Sequence, residues 1–237
     1  MQQSPTDHYD LEAALKKIED TAAMLLKIPP KYIGPTGTKV PDIAWYVFAA
    51  IKKTRSLTHA FSLLIRAQNT LAATALIRLQ LDTALRISGL SLIDDLEDAG
   101  AKLMNDESYR SLKSRDGKRL DDALLHQHLD KYYPGLSHAY QTTSSFVHLS
   151  ASHIKTGLIE RPGLSTLFFH MNGTNDTQSN EEVVGIVEWF DQATELTANM
   201  IEDFMRFRYV QDFGDHRRTK APLPSSAGHP GAGRGLS

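Results

Sequence analysis

Cysteine is absent from the 237 residues. No disulfide, zinc–thiolate centre, iron–sulfur cluster or thiol nucleophile can form, and a reducing compartment fits. Long apolar runs are missing too. Each is broken by charge well before about 18 residues, which predicts no membrane-spanning helix. Residues 1–10 are polar and acidic and lead into no apolar stretch. No signal peptide is expected, and a cytoplasmic location is. Nor is there an excess of one charge: 26 Lys and Arg face 28 Asp and Glu, for a formal net charge of −2. No global field therefore selects nucleic acid or an anionic membrane. What remains is ordinary globular material, 41% hydrophobic and 23% charged. A chain of this length buries roughly 70–75% of its unfolded surface without staples.

The apolar pattern is helical. Ser4-Pro5-Thr6-Asp7 reads as a helix start, and Leu11, Leu15, Ile18, Ala22, Leu25 and Leu26 follow at helical spacing. This helix is expected to end before Pro29-Pro30, with residues 28–41 as a loop. A second helix is predicted over about 42–67 and a third over about 69–93, with the break near Gln68-Asn69. The third is apolar on nearly every side, the mark of a buried central helix. Residues 94–118 show no clear period. A fourth helix fits 119–132, stopped by Pro134-Gly135, and a fifth fits 136–154, with Phe146, Val147 and Leu149 as anchors to the core. The run 164–171 suits one strand of a short hairpin near 157–171. Ser179-Asn180-Glu181-Glu182 is a capping box opening a last long helix to about Val210. The reading is an all-α, single-domain bundle of roughly five or six helices over 1–212, followed by a flexible, basic, Pro- and Gly-rich tail over 213–237.

Several residues carry candidate chemistry. Arg78, Asp82 and Arg86 recur every four positions and share one face of the third helix. Charges on a buried helix must be paired or line a wet cavity, so this stripe is either an ion-pair ladder or an anion-facing site. Ser145 and His148, three apart, would share a face of the fifth helix, as a hydroxyl beside an imidazole. Asp94-Asp95-Leu96-Glu97-Asp98 matches the D-D-x-x-D pattern with which carboxylates hold Mg²⁺ on a diphosphate, but no second aspartate-rich motif accompanies it. His126 and His128 point to different sides of a helix and make a poor metal pair. The Gly34–Lys39 loop lacks phosphate-loop spacing. No metal site and no cofactor is expected. Locally, charge is uneven: residues 41–93 hold six Lys or Arg against two acids, a basic helical pair able to attract RNA.

The mid-helix Arg78-Leu79-Gln80-Leu81-Asp82, followed by Tyr140 and then Ser144-Ser145-Phe146-Val147-His148, resembles a widespread family of uncharacterised bacterial helical proteins. Their pattern is an R-x-x-x-E helix followed by a Y-x-x-x-S-x-x-V-H helix; Asp82 stands here where Glu is usual. That family in turn is similar to HEPN-type domains. The resemblance covers roughly residues 40–155. It implies a bacterial defence, toxin–antitoxin or stress protein that binds RNA or cleaves it without metal, using an Arg and a His with four to six residues between them. Arg119 and His126 have that spacing and form one candidate catalytic pair; Arg78, Asp82 and His148 form another, with Arg86 and Ser145 as substrate contacts. The alternatives are a non-enzymatic interaction or homodimerisation module and, third, a Mg²⁺-dependent diphosphate enzyme at Asp94, Asp95 and Asp98.

Overall fold

The computed structural model describes residues 9–34, 37–160, 167–174 and 179–209. Within them the chain forms α1 (Leu11–Met24), α2 (Ile28–Ile33), α3 (Asp42–Arg66), α4 (Thr70–Gly89), α5 (Leu96–Met104), α6 (Asp122–Leu129), α7 (Leu136–Ser144), α8 (Ala151–Gly157) and α9 (Asn180–Tyr209). The class is all-α. One short antiparallel ribbon is added, β1 (Leu158–Glu160) with β2 (Leu167–Phe169), pairing Leu158 with Phe169. The expected tail over 213–237 and its boundary at 212 lie outside the described residues. The first helix does not run on from a start at Ser4: Asp10 is extended backbone and α1 begins at Leu11.

Local signals set the long helices. The Asp10 carboxylate accepts from Ala13 N and caps α1. α3 ends in a Schellman turn: Gln68 N donates to Ile65 O at 3.0 Å and Asn69 N to Leu64 O at 2.8 Å, with Gln68 at φ +55°. Asn69 then caps α4 by accepting from Ala72 N at 3.2 Å. The break at Gln68-Asn69 is thus one helix's end and the next one's start. At α9, Ser179 and Glu182 close a reciprocal capping box at 2.9 and 3.2 Å.

α4 is the central helix that its sequence predicts. It packs against α3, α6, α7 and α9. α9 covers α1, α2 and α3 as well, and the Phe61 and Phe190 rings stack at 3.9 Å between α3 and α9. The apolar core is continuous from Leu15 to Met205.

The short elements depart from expectation. Residues 28–33 are helical, not loop, because Pro29 and Pro30 fall in the first turn, where their missing N–H groups have no intrahelical partner to lose. α5 appears within the stretch that lacks a clear period, and α6 is shorter than the predicted fourth helix. The predicted fifth helix breaks into α7 and α8. Its hydroxyl run causes the break. Ser145 Oγ donates to Thr142 O at 2.7 Å and Ser150 Oγ to Ser145 O at 2.6 Å, giving the backbone partners outside the helix. Val147 and Leu149 consequently point outward, Leu149 at 93% exposure, and do not anchor the core.

Candidate functional site

Arg78, Asp82 and Arg86 lie on one face of α4, and packing by the surrounding helices leaves that face only partly open. Their side chains are 19%, 25% and 14% exposed. Asp82 sits between the arginines, 3.9 Å from Arg78 Nη1 and 3.3 Å from Arg86 Nη2. Lys53 of α3 approaches the same carboxylate at 3.6 Å. Arg86 reaches across to Asp122, in the first turn of α6, at 2.6 Å. The other Asp122 oxygen takes Arg110 at 2.6 Å. Burial opposes the charge on Arg86, but Asp82 and Asp122 outweigh it and hold its pKa above the ordinary value. Burial is the largest influence on Arg78 and draws its pKa down, although a guanidinium keeps its charge in any case.

α7 holds Arg78 by two side chains one turn apart. Arg78 Nε donates to Ser144 Oγ at 2.9 Å, and its guanidinium carbon lies 3.2 Å from the centroid of the Tyr140 ring. Ser144 is fixed in turn by donating to Tyr140 O at 2.7 Å. The same ring meets His126 of α6 nearly at right angles, centroids 4.0 Å apart. Ser137 Oγ lies 3.5 Å from His126 Nδ1. Burial lowers the His126 pKa below the ordinary 6.5; Asp122 opposes this shift and Arg78 reinforces it. The imidazole is therefore mostly neutral at pH 7.

Two buried polar groups of this cluster have no partner among the described residues. The Tyr140 hydroxyl and Arg86 Nη1 are buried without a hydrogen bond, and Tyr140 as a whole is 8% exposed. Such groups cost free energy unless something satisfies them. The cluster is also unbalanced. In the ion pairs among the described residues, Lys53, Arg78, Arg86 and Arg110 meet Asp82 and Asp122, four cations to two anions, while Asp130 acts on His126 from further along the chain. Beside it a cleft of about 190 Å³ opens among Tyr46, Lys53, Asp82, Thr83 and Arg86. One side of its wall is aromatic: Tyr46 stacks on Tyr109 at 5.7 Å, and burial pushes the Tyr46 phenol up to about 12. An anion entering here would meet the Arg86 guanidinium and the Lys53 ammonium, beside the Asp82 carboxylate, in a partly desolvated setting where charge-assisted hydrogen bonds are strong.

The sequence candidates separate. Arg78, Asp82, Arg86 and His126 share this cluster. His148 does not: the α7–α8 turn leaves it exposed, and none of the described contacts joins it to Arg78 or Asp82. Ser145 is used in the turn, 2.8 Å from Ser152 Oγ, so no Ser145–His148 pair forms. Arg119 lies before α6 on an isolated bridge to Lys113, exposed, with no described contact to His126. His128 turns away from His126 toward Ser91 Oγ at 3.3 Å, as two-residue spacing on a helix requires. The D-D-x-x-D stretch is a helix cap: Asp95 accepts from Glu97 N and Asp98 N, and Asp98 pairs with Lys102 at 2.6 Å. Among the described residues no three His, Asp or Glu side chains gather as metal ligands do.

Tyr140 and Ser144 stand in the Y-x-x-x-S pattern without being marked there as site residues; their i, i+4 spacing is the signal that both can grip one partner. Asp122, Arg110 and Lys53 carry no signal beyond their charge. Comparisons with models of protein families, with curated proteins and with solved structures found no match.

Proposed function

We propose that the Arg78–Tyr140–His126 cluster binds a phosphodiester of RNA and cleaves it without a metal ion, in a HEPN-like bacterial defence or stress protein. One observation carries this reading: a guanidinium and a desolvated, neutral imidazole meet on one Tyr140 ring, within a cluster that has cations to spare. The chemistry follows from the two side chains. His126 takes the proton of the ribose 2′-hydroxyl, whose oxygen attacks the adjacent phosphorus. The P–O5′ bond breaks, leaving a 2′,3′-cyclic phosphate and a 5′-alkoxide that is protonated by solvent. Arg78, held by Ser144 and Tyr140, stabilises the charge that builds on the phosphoryl oxygens. Asp82 and Asp122 keep the neighbouring guanidinium in place.

The test is cleavage of single-stranded RNA in EDTA. Wild type is expected to leave cyclic-phosphate ends. His126→Ala should lose about 10²-fold or more in rate, and Arg78→Lys should also fall, because an ammonium cannot present two parallel donors. His148→Ala and Arg119→Ala should retain activity. Absence of cleavage by wild type, or full activity in His126→Ala, overturns the reading.

A second reading, a non-enzymatic interaction module, has its own support. Asp122 ties α4 to α6 and to Arg110, and Ser144 ties α4 to α7, so these residues also brace the bundle. It expects Arg78→Lys to lower the melting temperature and to change no turnover.

A further inference from the structure

Beyond the cluster, the outer face of α3 is built from two kinds of side chain. Trp45, Phe48, Lys52, Arg55 and His59 recur at intervals of three and four residues, which places them on one stripe of the helix. The stripe faces out: Trp45 is 48% exposed, and Lys52, Arg55 and His59 are exposed too. Its ring is held in place by Phe48, edge to face at 5.5 Å and 85°. Beneath the stripe lies a groove of about 380 Å³, floored by Leu26, Pro29, Phe48 and Ile51 and rimmed by Lys52 and Arg55. Among the described residues neither Lys52 nor Arg55 makes an ion pair. Asp42, at the first turn, is the lone acid in α3.

We infer that this stripe and groove bind single-stranded RNA, with a base on Trp45 or in the groove and phosphates on Lys52 and Arg55. The inference rests on the RNA reading above for its ligand. Exposed aromatic rings interleaved with cations bind single strands because every base has a face to stack, and phosphates supply the complementary charge. A duplex keeps its bases stacked and would leave Trp45 and the groove unused. The stripe from Trp45 to Arg55 runs about 15 Å, enough for a few nucleotides. Around α3 from it, Ala49, Ser56 and Ala60 form a low strip leading to Lys53, which rims the cleft beside Asp82 and Arg86. One strand can thus cross from the groove to the cluster over small side chains.

The test uses the full chain and an uncleavable, fluorescein-labelled 2′-O-methyl single strand, its duplex, and polyglutamate of matched charge. The single strand is expected to bind more tightly than either competitor. The chain has two tryptophans, Trp45 and Trp189. In Trp189→Phe protein the remaining Trp45 fluorescence should be quenched on binding. Trp45→Ala should weaken binding about 5- to 150-fold with its salt dependence intact. Lys52→Gln with Arg55→Gln should weaken it and lower the slope of log affinity against log salt by about 1.4. Melting temperatures identify any variant that fails to fold, and the quenching measurement stands without those variants. Unquenched Trp45 at saturating RNA, wild-type affinity in both variants, or preference for polyglutamate overturns the inference. The two readings fail separately. Cleavage that needs His126 while the stripe variants bind normally sinks the stripe alone. Stripe-dependent binding with no cleavage sinks the catalytic reading alone. No binding of any RNA sinks both.

Discussion

His126 is where burial, charge and chemistry meet on one side chain. Its pKa is lowered, as is that of His128, in both cases chiefly by desolvation. In the unfolded chain both return toward 6.5. Between the folded and unfolded values the unfolded chain binds more protons, so stability is complete above about 6.5 and is lost as pH falls through the lower folded values. Urea midpoints measured from pH 8 to pH 5 should therefore drop for wild type and drop less for His126→Gln and His128→Gln. Equal losses in all three would place the acid sensitivity elsewhere. RNA cleavage should follow the same titration, rising as His126 loses its proton. The Arg78, Asp82 and Arg86 stripe was legible because its spacing is local. That His126 and not His148 joins it was not legible, because the junction is the Tyr140 ring, brought in by a third helix.

At the scale of elements, two glycines mark opposite situations. A Cβ on Gly100 of α5 would collide with the backbone nitrogen of Ile43 at the start of α3. Backbone cannot swing aside, so Gly100→Ala should destabilise by about 1–3 kcal/mol, seen as a melting temperature lower by roughly 3–10 °C. Gly185 sits inside α9 with open space around it. There Gly185→Ala should stabilise by about 0.5–1 kcal/mol through helix propensity alone. Equal melting temperatures for the two variants would mean that α3 and α5 do not cross this closely. Caps and periodicity made α3, α4 and the start of α9 readable in the sequence, since each signal lies within a few residues of the end it sets; for α1 the periodicity was readable, but the cap is Asp10 and not Ser4. The break of 136–154 into α7 and α8 was harder to read. Ser and Thr side chains there choose between solvent and nearby carbonyls, and the apolar pattern is silent on that choice.

For the whole molecule, α9 is the element that closes the bundle, and Phe190 is its most deeply seated ring, fully buried against Phe61. Phe190→Ala should cost about 3–5 kcal/mol, lowering the urea midpoint without shifting the slope of the transition. A loss under about 1 kcal/mol would mean that α9 docks weakly and that the core is carried by the remaining helices. No helix among the described residues is long and apolar enough to cross a membrane. The charge balance also acts at this scale. The chain as a whole is close to neutral, yet α3 and the cluster beside it concentrate cations, so an RNA would be drawn to one side of the bundle.

The sequence by itself determined the helical class, the central place of α4, the bounds of α3 and α4 and the start of α9, because apolar period and capping act over a few residues. It also placed three charges on one face of α4. Tertiary structure alone decided which histidine meets Arg78, which carboxylates share Arg86, and which polar groups are left buried without partners. Those outcomes depend on how α4, α6 and α7 cross, and a crossing is set by side-chain volumes far apart in the chain, which no local pattern encodes.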